Sequence, residues 1–235
     1  TPNIERLFMQ ARFGLDNEFS EEVVKAVNEI DASQIETQAA ERTDLTHLPF
    51  VTIDSAGTRD IDDALFAEAH SDGWTLWVAI ADPDALIQAG SALEDAAAKR
   101  ATSAYFADSV VPMLPTELSE NFSSLQAGEK RLAMVAELRL DADAGVKETK
   151  LHSAIIESKA KLTYSQVAQL IDSGCDDIPA ELHGPVLHLA DCARALNQWR
   201  QANCLVMEDR PDYKLVLNEQ GKVDEIVRIE RNAAH

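Results

Sequence analysis

A mixed α+β fold, with a mainly antiparallel sheet flanked by helices, is the class that the sequence predicts. Residues 3–43 show helical periodicity, residues 44–156 are dominated by strand-like apolar segments, and two helical segments and two further strands follow. With 235 residues, 46% of them hydrophobic, the chain is long enough to bury a core of its own. We therefore divide it into a helical lead-in, residues 1–43, and a sheet-containing domain, residues 44–235.

The helical lead-in contains an amphipathic stretch after Ser20, a residue type that favours the first position before a helix. Apolar residues recur there at helical spacing, namely Val23, Val24, Val27 and Ile30. The pattern changes near residue 44, where strands begin. The segment "LPFVTID" predicts a strand that ends at Asp54, and "DALFAEA" predicts another that begins near Asp63.

The segment "WTLWVAIAD" is apolar on both faces, which is typical of a central strand that is covered on two sides. Ser91 and Glu94 have the spacing of a capping box and predict a helix that runs to about Arg100. Residues 132–140 alternate cleanly and, across the turn "DADAG", predict a hairpin with residues 146–156. Helices are then expected from about Tyr164 and over about residues 181–203, before two last strands around the turn "NEQGK".

The charge of the chain excludes a simple electrostatic binder of nucleic acid. Forty-one acidic residues against 21 Lys and Arg give a net charge of −20, which repels nucleic acid and anionic membranes at long range. The three cysteines show no framework or zinc spacing and indicate reduced thiols in a cytoplasmic protein. No apolar run reaches about 18 residues and no signal pattern is present, so we expect no membrane segment. No obligatory protein partner is evident from the sequence.

The stretch "TIDSAGTRDIDDALF" contains four aspartates within a span of ten residues: Asp54, Asp60, Asp62 and Asp63. Two ionised carboxylates about 4 Å apart repel each other by roughly 4 kcal/mol at an effective dielectric constant near 20. A divalent cation would remove this conflict, and Mg²⁺, with Mn²⁺ as a substitute, suits oxygen ligands that leave room for a phosphate. In an extended segment Asp60 and Asp62 point to the same side, whereas Asp63 points away unless the chain turns there. A metal site would therefore sit in a loop between strands. The alternative is that these acids are simply solvated.

Six blocks of sequence carry a resemblance to a known family: "FVTIDSAGTRDIDDALF", "WVAIAD", "RATSAYF", "VVPMLPTELSENFSSL", "RLAMVAELRLDADAG" and "ESKAKLTYSQV". In this order they resemble the catalytic RNB domain of the ribonuclease II family, and most closely its bacterial members. The resemblance implies processive hydrolysis of single-stranded RNA from the 3′ end, with release of nucleoside 5′-monophosphates, as part of RNA degradation.

The resemblance also implies roles for particular residues. The family's metal-site aspartates fall on the four named above, and Asp62 is the residue that we expect to be most critical to the rate. Tyr105 matches a position whose ring stacks on a base, and Tyr164 matches another aromatic position along the RNA path, although Tyr164 could equally be the first core residue of its helix. Met207 stands where a Phe is expected beside the terminal base, which puts an aromatic sandwich there in doubt.

Family members are usually longer, with OB-fold RNA-binding domains on both sides of the catalytic domain. The resemblance therefore implies that the chain is the N-terminal part of an RNB domain, without the C-terminal part that holds a catalytic arginine. The predicted activity belongs to the protein from which this piece derives. Two alternatives stay open: a catalytically inactive acidic interaction module, and a metal-dependent phosphatase or DNA nuclease. The six histidines show no ligand spacing, and Asp82 is interpreted as structural.

Overall fold

The computed structural model describes residues 4–16, 18–106, 109–174, 177–203 and 211–235. Within these ranges the helices are α1 (Ile4–Phe13), α2 (Glu21–Asn28), α3 (Ala32–Ala39), α4 (Ala92–Arg100), α5 (Tyr164–Ser173) and α6 (Ala180–Asn203). The strands are β1 (Thr43–Asp44), β2 (Val51–Asp54), β3 (Asp63–His70), β4 (Gly73–Ala81), β5 (Ala104–Tyr105), β6 (Val110–Val111), β7 (Lys130–Asp141), β8 (Val146–Glu157), β9 (Ala160–Thr163), β10 (Asp212–Leu217) and β11 (Val223–Ile229). Short helical turns cover Pro83–Leu86 and Leu118–Phe122.

A seven-stranded sheet in the order β1-β8-β7-β4-β3-β2-β9 forms the centre of the fold. The pairs β2–β3, β3–β4, β4–β7 and β7–β8 are antiparallel, and only the outer pairs β1–β8 and β2–β9 are parallel. The predicted mixed fold with a mainly antiparallel sheet is therefore confirmed. Strand β4, which is apolar on both faces, occupies the middle of the sheet as predicted.

Both faces of the sheet are covered, which explains why its central strand is apolar on both sides. On one face α5 and α6 pack against the sheet through a buried cluster that includes Val167, Leu182 and Val186. The opposite face buries Phe66 and Trp77, whose rings stack at 5.0 Å between centroids. Helices α2 to α4 share a further core with β7 and β8, so the helical lead-in packs directly on the sheet-containing domain.

Helix α2 begins as predicted and differs in one residue of its buried face. The Ser20 hydroxyl accepts a hydrogen bond from the Val23 amide at 3.4 Å, which caps the helix. Val23 and Val27 are buried, whereas Val24 is 47% exposed. Since successive residues are about 100° apart around a helix, the one that follows Val23 turns away from the core toward solvent.

A buried ion pair fastens the segment before β1 to the end of β4. The Arg42 guanidinium lies 2.7 Å from the Asp82 carboxylate, and only 9% and 14% of the two side chains are exposed. This contact agrees with the structural interpretation of Asp82. Among the described residues no helix has the length and apolar character needed to cross a bilayer.

Candidate active site

The four aspartates lie at the junction of β2 and β3. Strand β2 ends at Asp54 and β3 begins at Asp63, as the sequence predicted, and the loop between them carries Asp60 and Asp62. Antiparallel pairing of Val51 with Leu65 brings the two strand ends together at one edge of the sheet. The folding of two apolar strands around one short loop therefore gathers the acids.

Contacts from three other segments hold this loop in place. The Lys161 ammonium donates hydrogen bonds to the carbonyls of Ala56, at 3.1 Å, and of Thr58. The Ala81 amide donates to the Asp62 carbonyl at 2.8 Å, which continues the β3–β4 ladder into the loop. The Ser124 hydroxyl bonds the backbone on both sides of Asp60. The backbone of the loop is thus fixed, while the side chains of Asp60 and Asp62 remain partly open to solvent.

Burial raises the pKa values of three of these four carboxylates, and for two of the three the neighbouring charges raise them further. Burial raises the pKa of Asp54, and the charges of Asp63 and Asp60 raise it further, while Lys161 lowers it. Burial also raises the pKa of Asp62, and the charges of Asp60, Asp63 and Asp54 all act in the same direction. The pKa of Asp63 is raised by burial alone. Such shifts are common where carboxylates await a cation or a catalytic task.

Carboxylate oxygens are ligands that suit a hard divalent cation, but these four side chains do not form a closed metal site. Within the described ranges none of the four side chains forms an ion pair or a hydrogen bond with another side chain. In the same ranges no three His, Cys, Asp or Glu side chains are close enough together to hold a metal ion. Carboxylates at one sheet edge with raised pKa values fit Mg²⁺ by ligand type. Metal binding here therefore stays a prediction.

Tyr105 flanks one side of the aspartates. It pairs with Val110 in the short β5–β6 ladder, and 71% of its surface is exposed. Its ring borders a groove of about 370 Å³ that also contains Asp60 and Asp62. The pKa of the Tyr105 hydroxyl is raised by burial and then by the charges of these two acids. An exposed ring beside the carboxylates is available for stacking.

Tyr164 flanks the other side. Pairing of Asp54 with Thr163 in the β2–β9 ladder places it next to the acids, and a capping box between Thr163 and Gln166 makes it the first residue of α5. Burial raises the pKa of its hydroxyl, as do the charges of Asp54 and Asp63. The structure thus brings both predicted tyrosines to the aspartates. Met207 lies outside the described residues.

Three residues contribute to this site although the sequence predicted no role in it for them. The His235 ring stacks on Tyr164 with 4.2 Å between centroids and an interplanar angle of 9°. Ser124 and Lys161 hold the aspartate loop from distant parts of the chain. Each contact spans more than 60 residues of sequence, so no local pattern signals it. The blocks "VVPMLPTELSENFSSL" and "ESKAKLTYSQV", noted for their resemblance, contain Ser124 and Lys161, but the resemblance assigned neither residue a role.

We predict that Asp62→Asn stabilises the metal-free protein at neutral pH. The pKa of Asp62 is raised above its ordinary value of 3.8, so the folded state holds the proton more tightly than the unfolded state. Its contribution to stability is fully present below that ordinary value and is lost as the pH rises through the folded value. The variant should gain about 0.2–1 kcal/mol at pH 7, after solvent screening of exposed charges.

Urea denaturation in EDTA, at pH 7 and at decreasing pH, checks this prediction. The gain should shrink as the pH is lowered toward the ordinary value of 3.8, because the wild-type carboxylate, with its raised pKa, takes up its proton over this range. A variant that is less stable than the wild type at pH 7 would show that Asp62 makes favourable contacts and is not under repulsion.

Comparison with known proteins identifies the family of this chain. The RNB domain family model matches residues 42–235. The chain is 43% identical over 202 residues to Exoribonuclease 2 of Edwardsiella piscicida. The matched region covers 83% of this chain and 31% of that protein. Exoribonuclease 2 of Serratia proteamaculans (strain 568) is 39% identical over 229 residues, or 96% of this chain and 34% of that protein.

Among solved structures, Mycoplasma genitalium RNase R in complex with ribose methylated single-stranded RNA matches with a TM-score of 0.89 and 26% identity. The match covers 99% of this chain and 36% of that one. The chain spans about a third of the length of the curated relatives that it matches, 31% and 34% for the two named. Since the family model covers most of the chain, including the junction of β2 and β3 with its four aspartates, the chain belongs to the RNB domain family.

Proposed function

We propose that the protein carrying this chain is a hydrolytic exoribonuclease that degrades single-stranded RNA processively from the 3′ end and releases nucleoside 5′-monophosphates. Both curated relatives are named Exoribonuclease 2, and the matching RNase R structure contains single-stranded RNA. The observation that carries the proposal is the group of four aspartates inside an RNB domain, three of which, Asp54, Asp62 and Asp63, have raised pKa values. Such a group suits hydrolysis of a phosphodiester.

In this proposal Asp54, Asp60, Asp62 and Asp63 hold Mg²⁺, for which Mn²⁺ can substitute. When bound, such an ion lowers the pKa of a water molecule and neutralises charge on a reacting phosphate. The carboxylates accept the cation readily because binding relieves the repulsion among them. Asp62 receives repulsion from all three of its partners, so its charge should matter most to metal binding and rate.

The tyrosines would guide the RNA. Stacking of a base on an aromatic ring contributes about 1–3 kcal/mol and tolerates any base, as an enzyme that reads no sequence requires. Tyr105 offers an exposed ring at the aspartate groove. Tyr164 already stacks on His235, so it would meet RNA through its opposite face or its hydroxyl. A net charge of −20 leaves most neutralisation of the phosphates to other parts of a longer protein.

We also infer a cytoplasmic location, since Cys192 is a buried free thiol, whose pKa is raised by burial to about 11, and free thiols are typical of reducing compartments. Since the chain spans 31% and 34% of the two relatives named above, we propose that other parts of a longer protein complete the RNA path.

The test of this function compares matched single-stranded RNA and DNA oligonucleotides, labelled at the 5′ end, with Mg²⁺ and the full-length protein. We expect RNA to be shortened from its 3′ end with release of nucleoside 5′-monophosphates and few intermediates, while DNA survives. Equal degradation of DNA would favour a nuclease of broader specificity. Release of phosphate from a monoester without chain shortening would favour a phosphatase, and no hydrolysis by metal-loaded protein would favour an inactive acidic module.

A further inference from the structure

Ser124 lies behind the aspartate loop and bonds the chain on both sides of Asp60. Its hydroxyl donates a hydrogen bond to the Arg59 carbonyl at 2.6 Å and accepts one from the Ile61 amide at 3.2 Å. Ser124 is 0% exposed, the bond from the Ile61 amide is buried, and the bond to the Arg59 carbonyl is partly buried, so solvent competes little for them. A single buried hydroxyl therefore spans the two backbone groups that flank one metal-site candidate.

The support of Ser124 is itself fixed. Arg131, which is 7% exposed, donates from Nε to the Ser124 carbonyl at 3.1 Å and to the Asn121 carbonyl at 3.2 Å. The next amide, of Leu125, donates to the Ile61 carbonyl at 2.9 Å. The hydroxyl is thus presented to the loop from a rigid turn anchored on β7.

This arrangement acts on Asp60 more than on the other acids. Asp54 and Asp63 are positioned by strands β2 and β3, and the Asp62 carbonyl is bonded to β4. Asp60 lies in the part of the loop without ladder bonds, where repulsion among carboxylates would push it outward. Hydrogen bonds at residues 59 and 61 fix the backbone angles between them and hence the direction of the Asp60 side chain.

We propose that Ser124 is a positioning residue that holds Asp60 toward its neighbouring carboxylates for metal binding. The inference rests on the proposed function and adds a residue to its machinery. Ser124 does not touch substrate: it is fully buried and its proton is donated to a backbone carbonyl. Residues that orient metal ligands in this way typically change metal affinity by about 10-fold to 100-fold when they are replaced.

The neighbouring residue provides a matched control. Ser123 is also buried, at 6% exposure, but its hydroxyl donates to the Leu118 carbonyl at 2.8 Å within its own turn. Ser124→Ala and Ser123→Ala each remove one buried hydroxyl, and the two positions are adjacent in the sequence. Only the first releases the aspartate loop.

Two readouts in the full-length protein test the role. Without metal, Ser124→Ala should speed hydrogen exchange of the Ile61 amide by about tenfold, the effect of losing one net hydrogen bond. Titration followed by Mn²⁺ electron paramagnetic resonance should show about 10-fold to 100-fold weaker binding. In turnover, kcat should fall at limiting metal while KM for RNA stays constant. Ser123→Ala should match the wild type in all three.

The outcomes separate the inference from the function on which it rests. Equal Mn²⁺ affinity in the wild type and Ser124→Ala overturns the positioning role and leaves the proposed function standing. A wild type that binds no Mn²⁺ overturns both. Should Ser124→Ala fail to fold, Ser124→Cys keeps the size of the side chain with a weaker donor and should give intermediate Mn²⁺ affinity. Wild-type affinity in that variant overturns the role.

Discussion

Replacing Asp62 with Asn should reduce RNA hydrolysis by at least about 10²–10³-fold, because it removes a carboxylate that would hold the metal ion, and with it part of the charge stabilisation that the ion would supply. The amide keeps the shape of the carboxylate but removes its negative charge, which three neighbouring acids already oppose. Single-turnover rates on 5′-labelled single-stranded RNA, at Mg²⁺ concentrations up to saturation, measure the effect. Binding of RNA should be unchanged or tighter, because one charge that repels phosphate is gone.

Asp72→Asn serves as the matched control for this experiment. Asp72 lies in the exposed turn between β3 and β4 and pairs with Arg139 at 2.5 Å, outside the candidate site. It undergoes the same chemical change in the same protein, so its rate should equal that of the wild type. If Asp62→Asn also stays within about tenfold of the wild type, below the loss expected when a metal-holding carboxylate is removed, Asp62 is not central to the reaction.

Taken together with the predicted gain in stability of metal-free Asp62→Asn, this result would identify a site that trades stability for activity. Carboxylates that serve only solubility would show neither effect, since solvated charges repel weakly. A variant that is more stable without metal and nearly inactive with it would fit acids that are held close for a cation.

Much of the sheet could be predicted because its information is local. The apolar runs that end at Asp54 and begin at Asp63 define β2 and β3 directly, and the position of the acids between them follows. The sequence of β4 is apolar on both faces, and such a strand must be covered on both sides. Its central position in the sheet could therefore be predicted. Apolar periodicity thus predicted that the aspartates lie in a loop between two strands.

The contacts that complete the site were beyond local patterns. The stack between Tyr164 and His235 joins residues 71 positions apart, and the bonds from Ser124 reach back across more than 60 positions to the aspartate loop. A serine that caps a loop from behind has the same local signature as any buried serine. The parallel pairing of β2 with β9, which places Tyr164 beside Asp54, likewise depends on how the whole sheet is assembled.

Asp82→Ala should lower the free energy of unfolding by about 3–5 kcal/mol, because removing one partner of a buried ion pair leaves the other charge uncompensated. The Arg42 guanidinium is the charge left behind, with only 9% of its side chain exposed. One of its nitrogens, Nη1, is already buried without a hydrogen-bond partner. Urea denaturation of the metal-free protein measures the loss.

A comparison of two arginine–aspartate pairs, Arg42–Asp82 and Arg139–Asp72, separates the effect of burial from that of pairing itself. Asp72→Ala breaks the exposed pair with Arg139, where 75% of the aspartate side chain is open to water, and should change stability little. A double variant, Arg42→Met with Asp82→Leu, removes both buried charges and should recover most of the loss, since apolar replacement of a buried pair is often neutral. If Asp82→Ala is tolerated as well as Asp72→Ala, the pair does not fasten the lead-in segment to β4. Because the Ala81 amide next to it bonds the Asp62 carbonyl, the end of β4 would then need another anchor to hold the aspartate loop.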